Sequence, residues 1–83
     1  MVESLIAGVA HAIEMFEAEE LDVTGLQGRI GSAVDALDHT RPELLRELET
    51  LLSDLELIQF TMPAEQQRAA TTRRLATTKA ILQ

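Results

Sequence analysis

Residues 40–62 read TRPELLRELETLLSDLELIQFTM, and their spacing decides how the rest of the chain is read. Leu44, Leu48, Leu51, Leu55, Ile58 and Met62 alternate steps of four and three residues, the period of one helix face. Leu45 and Leu52 widen that seam, so the helix is expected to press on more than one neighbour. Thr40 and Glu43 form a T-x-x-E capping box, with Pro42 in the first turn, where a missing N–H costs nothing. Pro63 stops the helix or starts the next one. Two residues break the pattern. Leu57 points away from the Leu48–Leu55 centre of the stripe, and Phe60 lies about 120° from it, near Glu49, Ser53 and Glu56. The two form either an apolar knob ringed by carboxylates or a second buried stripe against another neighbour.

Outward from this stretch, three more helical segments can be read, and no strand. The first runs from about Val2 to Glu19, with Val2, Leu5, Ile6, Val9, Ile13 and Phe16 on one stripe and Glu3, His11, Glu14 and Ala18 outside it. Glu17, Glu19, Glu20 and Asp22 crowd its C-terminal end, the negative pole of the helix, so that end is expected to fray. The second segment is short. It starts either with Asp22 as N-cap and Leu21 and Leu26 as a hydrophobic staple, or with Thr24 as N-cap and Gln27 closing a capping box. Its apolar stripe is Leu26, Ile30, Ala33, Val34 and Leu37. Gly25, Gly28 and Gly31 recur every third residue, and close approach of a neighbouring helix is the expected compensation for their poor helix propensity.

The last segment runs from about Ala64 to the C-terminus and is rich in Ala, Thr and Arg. Its only large apolar residues are Leu75, Ile81 and Leu82. With so little apolar area it is expected to dock weakly and to be the most mobile part. Short connections between segments favour an up-and-down arrangement. The expected fold is therefore all-α: a single domain over residues 1–83, an antiparallel four-helix bundle with a short second helix and a weakly docked C-terminal helix.

Composition narrows the function classes. The chain has 83 residues, no cysteine and a net charge of −7. Residues 1–62 hold 13 acids and 3 arginines, a balance of −10, whereas residues 63–83 set Glu65 against Arg68, Arg73, Arg74 and Lys79, a balance of +3. An acidic body argues against nucleic acid and anionic lipid as partners, since both require a cationic surface. It fits a basic protein partner, or simply a soluble surface. The apolar stretch LIAGVAHAI lacks a basic flank, and no run approaches the length of a membrane span, so a cytoplasmic protein is expected.

The chemistry-bearing residues are sparse. His11 and Glu14 stand in the reverse of the Glu-x-x-His order of di-iron bundles, and His39, four residues after Asp35, reads as a helix-end partner. The glycine run TGLQGRIG matches neither dinucleotide nor P-loop spacing. Ser4, Ser32 and Ser53 lack a recognisable triad. Catalytic, cofactor and metal sites are accordingly expected to be absent. Glu43, Glu47 and Asp54 form an acidic ridge that faces either a basic partner or Arg68, Arg73 and Arg74 of the last helix.

Length and acidity resemble those of acyl carrier proteins, which carry Asp-Ser-Leu at a helix start. Here Ser53-Asp54-Leu55 has a different order inside a helix, so that resemblance stops. A second one goes further. FEAEELDVTGLQGRI resembles the opening of small helical bacterial immunity proteins of the colicin D immunity type, in which an aromatic and an acidic turn precede an amphipathic helix. The acidic helix ending DLELIQF is similar in character to partner-facing helices of such proteins. The resemblance covers about half the chain and implies a protein that binds and blocks a nuclease toxin, offering carboxylates where the toxin expects phosphates.

The expected function is a non-enzymatic inhibitor of a basic protein. Contact would centre on Leu57 and Phe60, with Glu49, Ser53 and Glu56 around them and Asp35 and Asp38 extending the rim. The competing expectation is a structural helical protein in which Leu57 and Phe60 face their own copies in a homodimer.

Overall fold

The computed structural model describes residues 2–37 and 41–82, with the side chains of Val2 and Glu3 outside that description. Four helices follow one another: α1 (Val2–Glu17), α2 (Val23–Ala36), α3 (Pro42–Thr61) and α4 (Ala64–Leu82). They form an antiparallel bundle with no strand among the described residues, and α2, at 14 residues, is the shortest helix. Each helix packs on the next, and α4 closes the ring against α1.

The seam of α3 is the spine of the core. Leu44, Leu48, Leu51, Leu55 and Ile58 are buried, and Leu45 and Leu52 pack half-buried beside them. Ile13 and Phe16 of α1, Leu26 and Ile30 of α2 and Leu75 of α4 meet this stripe in one cluster. Full burial of each such side chain contributes roughly 1.5–3 kcal/mol. Met62 departs from its expected place in the seam. It caps α3 in an extended conformation and is 38% exposed. The cause is Pro63, whose ring disfavours helical backbone at the residue before it. At the other end the N-cap is Arg41 and no side chain caps it, so Glu43 falls one position too early to close a capping box; Thr40 lies outside the described residues.

The joint between α1 and α2 is ordered where fraying was expected. Glu20 N–H donates to the Met15 carbonyl at 2.8 Å and Glu19 N–H to the Phe16 carbonyl at 3.0 Å, with Glu19 at φ 64. These are the two bonds of a Schellman motif, with a glutamate in the left-handed position that glycine usually takes. Asp22 is the N-cap of α2, its Oδ1 accepting from Gly25 N–H at 2.7 Å. The Thr24 hydroxyl instead accepts from Gln59 Nε2 of α3 at 2.9 Å.

The glycines do not serve helix–helix approach. Gly28 and Gly31 have open space where a Cβ would stand, because Leu26, Ile30 and Ala33 carry the packing face of α2. Only Gly25 is constrained: a Cβ there would meet Leu21 Cδ2 at 2.9 Å and Asp22 Oδ1 at 3.2 Å. Glycine at this position leaves room for Leu21 to fold back over the first turn.

In α4 the buried stripe is not apolar by residue type. Thr71, Leu75 and Thr78 are all fully buried, and Leu82 packs half-buried against the core. Ile81 is turned outward and 38% exposed. Leu75 is thus the one large side chain that α4 buries fully, in keeping with the small apolar contribution expected of this helix.

Candidate partner-binding surface

The outer face of α3 carries the two most exposed large apolar residues among those described. Leu57 is 61% exposed and Phe60 86% exposed. Helical geometry explains both values. The five buried residues of α3 centre about 160° away from Phe60 at 100° per residue, so its ring points almost straight out. Glu49, Ser53 and Glu56 lie on the same outer face and are exposed. Met62, turned out of the core before Pro63, lines a shallow cleft with Glu65, Gln66, Ala69, Ala70 and Arg73 of α4. No Lys or Arg occurs between residues 47 and 62; the nearest on this face is Arg46, exposed and one turn before Glu49.

The backbone beneath is braced. Thr61 Oγ1 donates to the Leu57 carbonyl at 2.7 Å, and Gln67 Nε2 of α4 donates to the Met62 carbonyl at 3.0 Å. Leu57 and Phe60 therefore stand on a fixed platform, with little backbone entropy to lose on contact. Asp35 does not join them. It is exposed near the end of α2, beside the start of α3, and Phe60 lies about 25 Å further along by helical rise. Asp38, like His39, lies outside the described residues.

The second acidic ridge of α3 is used inside the molecule. Arg74 Nε donates to Asp54 Oδ2 at 2.5 Å, and Arg74 Nη1 to Glu47 Oε2 at 2.9 Å. Thr78 Oγ1 donates to the same Glu47 oxygen at 2.6 Å. Burial pushes the Glu47 carboxyl up and is the largest single effect on it, with the Asp54 charge acting the same way. The hydrogen bonds from Arg74 and Thr78 and the Arg74 charge together outweigh both, holding the carboxyl below the usual carboxylate range. The Glu47 hydrogen bond in turn raises Arg74, against the cost of its own burial.

Arg74 is the one arginine of α4 that meets the ridge. Arg68 reaches instead to the end of α1, where its guanidinium lies 4.3 Å from the Phe16 ring centroid. It donates to the Phe16 carbonyl and, at 2.9 Å, to the Leu21 carbonyl. Arg73 is exposed, as is Glu43. Lys79 pairs with Glu17 across α4 and α1, over an open cleft floored by Ile6, Ala10, Ile13 and Leu82.

The sequence pattern located Leu57 and Phe60 but placed Met62 in the core. The Pro that follows Met62 was the available signal that it would turn out. His11 is exposed, and among the described residues no three His, Asp or Glu side chains gather as a metal site. No helix of the described residues is long and apolar enough to cross a membrane. Comparison with protein-family models, with curated protein sequences and with solved structures finds no match to this chain.

Proposed function

We propose that this chain is a non-enzymatic binding protein that neutralises a basic protein partner, in the manner of a bacterial toxin-immunity protein acting on a nuclease. One observation carries the reading: Leu57 and Phe60 are exposed together near the end of α3, on the face that carries Glu49 and Glu56. An aromatic and an aliphatic anchor inside a charged rim is the composition of an interaction hot spot. Glu49 and Glu56 would speed encounter with a basic surface and set its register, while the two apolar residues slow dissociation. The resemblance of the chain to colicin D immunity proteins points the same way.

Self-association fits the surface less well. A two-fold contact centred on Leu57 and Phe60 brings together two faces that both carry Glu49 and Glu56.

The test is Leu57→Asp, compared with the unaltered chain. Because Leu57 is 61% exposed, the substitution is expected to cost only about 1 kcal/mol, from the poorer helix propensity of aspartate and its charge near the helix C-terminus, and to leave the fold intact. The tagged wild-type chain should capture a basic nuclease from source-cell lysate, and the variant should capture at least tenfold less. Unfolding of the variant, or equal capture by both chains, would overturn the reading.

A further inference from the structure

We infer that Phe60 receives an arginine of the partner protein, its guanidinium lying over the ring beside the Glu56 carboxylate. The inference rests on the proposed binding surface and adds the chemistry of the group that occupies it. It starts from a likeness inside the chain. There are two phenylalanines, and each is the penultimate residue of its helix: Phe16 in α1 and Phe60 in α3. Phe16 is already occupied by Arg68, whose guanidinium covers the ring at 4.3 Å and donates to the carbonyl of Phe16 itself.

Phe60 offers the same parts unfilled. Its ring is 86% exposed, and among the described residues nothing donates to its carbonyl or to that of Thr61. Both carbonyls belong to the last turn of α3, the negative end of the helix, where no basic side chain is present. Glu56 stands one turn back on the same face and is exposed. Ring face, helix-end carbonyls and carboxylate all attract a cation. Arginine suits the set better than lysine, because a planar guanidinium stacks on a ring while its edge N–H groups reach oxygens. Arg68 on Phe16 shows the same division of labour within this molecule.

The test uses the full chain, 15N-labelled, titrated at low salt with a hexa-arginine peptide and separately with a hexa-lysine peptide of equal charge. Both peptides should shift amide signals within residues 49–62. The arginine peptide should bind about two- to fivefold more tightly, the factor a solvent-accessible cation–π contact supplies. Phe60→Leu, at a side chain the core does not use, should abolish that preference. Glu56→Gln should weaken both peptides. Equal affinities for the two peptides at this face, or a preference that survives Phe60→Leu, would overturn the inference and leave the surface standing. Shifts confined to residues outside 49–62 would overturn the surface itself, and the inference with it.

Discussion

Helices α3 and α4 have almost the same length, 20 and 19 residues, and pack against each other, yet they are held by different physics. α3 presents five buried aliphatic side chains in a regular stripe. α4 presents one buried leucine and two buried threonines, and secures itself through Arg68, Arg74 and Lys79. Apolar burial is non-directional and nearly proportional to area, so a stripe of leucines finds its place whatever lies opposite. A guanidinium contributes only where acceptors wait at the right distance. α3 therefore organises the core, and α4 reads out what the other three helices have arranged.

The difference is broken most forcefully at Leu75. Leu75→Ala removes the only large side chain that α4 buries completely and is expected to cost about 3 kcal/mol. Its signature should be local. In native-state hydrogen exchange, α4 amides should lose protection by a partial opening while α1 to α3 keep theirs. Leu55→Ala in α3, of equal burial, should lower the protection of all four helices together. Equal loss everywhere in the Leu75 variant would show that α4 is as integral as α3.

Arg74→Leu tests the polar half of the attachment, with an expected cost of about 2 kcal/mol at pH 7, because it leaves Glu47 largely buried without its cation. The pH dependence has a definite sign. In the native chain the Glu47 carboxyl is held below its ordinary value of 4.5, so its contribution is complete above that value. That contribution is lost as pH falls through the lowered one. In the variant, burial acts on Glu47 without Arg74 to oppose it. The stability gap between the two chains should be widest near pH 7 and narrow as the pH falls below 4.5 and on through the lowered value, as Glu47 becomes neutral in both. Thermal melts at pH 7 and pH 3 measure it, and a gap that stays constant would contradict the assignment of Glu47 as the partner.

The same contrast explains what could be read from the residues alone. The α3 seam and the α1 and α2 stripes follow from period, because periodicity encodes which face is dry; it marks Leu57 and Phe60 as exceptions but not whether a second neighbour covers them. Met62 misleads because the period continues after the proline has already turned the backbone. The stripe of α4 was hidden for another reason. Thr71 and Thr78 stand seven residues apart around Leu75, a valid heptad pattern, but threonine counts as polar and its methyl group is discounted. The division of the acidic residues was half legible: period puts Glu47 and Asp54 on one ridge and Glu56 on another face, but not whether the ridge meets α4 or a partner. Only the placement of α4 commits the ridge to Arg74 and leaves Glu56 free.

The two buried threonines sharpen the point, because one has a partner and one has none. Thr78 Oγ1 donates to Glu47 at 2.6 Å, whereas Thr71 Oγ1 is buried with no hydrogen bond. Valine has nearly the same shape as threonine without the hydroxyl. Thr71→Val should stabilise the chain by about 1 kcal/mol by removing an unsatisfied buried group, while Thr78→Val should destabilise it by about 1 kcal/mol. Denaturant unfolding of the two variants should move the midpoint in opposite directions. Shifts of one sign would mean that the hydroxyls are equivalent and that α4 is held by packing alone.

The smallest expected effect lies where α1 ends. There the Schellman turn places Glu19 at φ 64, which costs a residue bearing a Cβ about 1 kcal/mol. α3 ends with no such turn, because Pro63 forces Met62 into an extended exit. Glu19→Gly should therefore stabilise the chain by up to roughly 0.5 kcal/mol, the relief of strain less the added freedom of glycine in the unfolded chain. Glu19→Ala removes the same negative charge from the helix end but keeps the strained backbone. It should gain no more than a few tenths of a kcal/mol, the scale of a screened charge–dipole contact. Equal gains in the two variants would trace the effect to the charge. A gain confined to glycine would locate it in the backbone, where the bonds from Glu19 and Glu20 hold the turn that delivers Leu21 to Arg68.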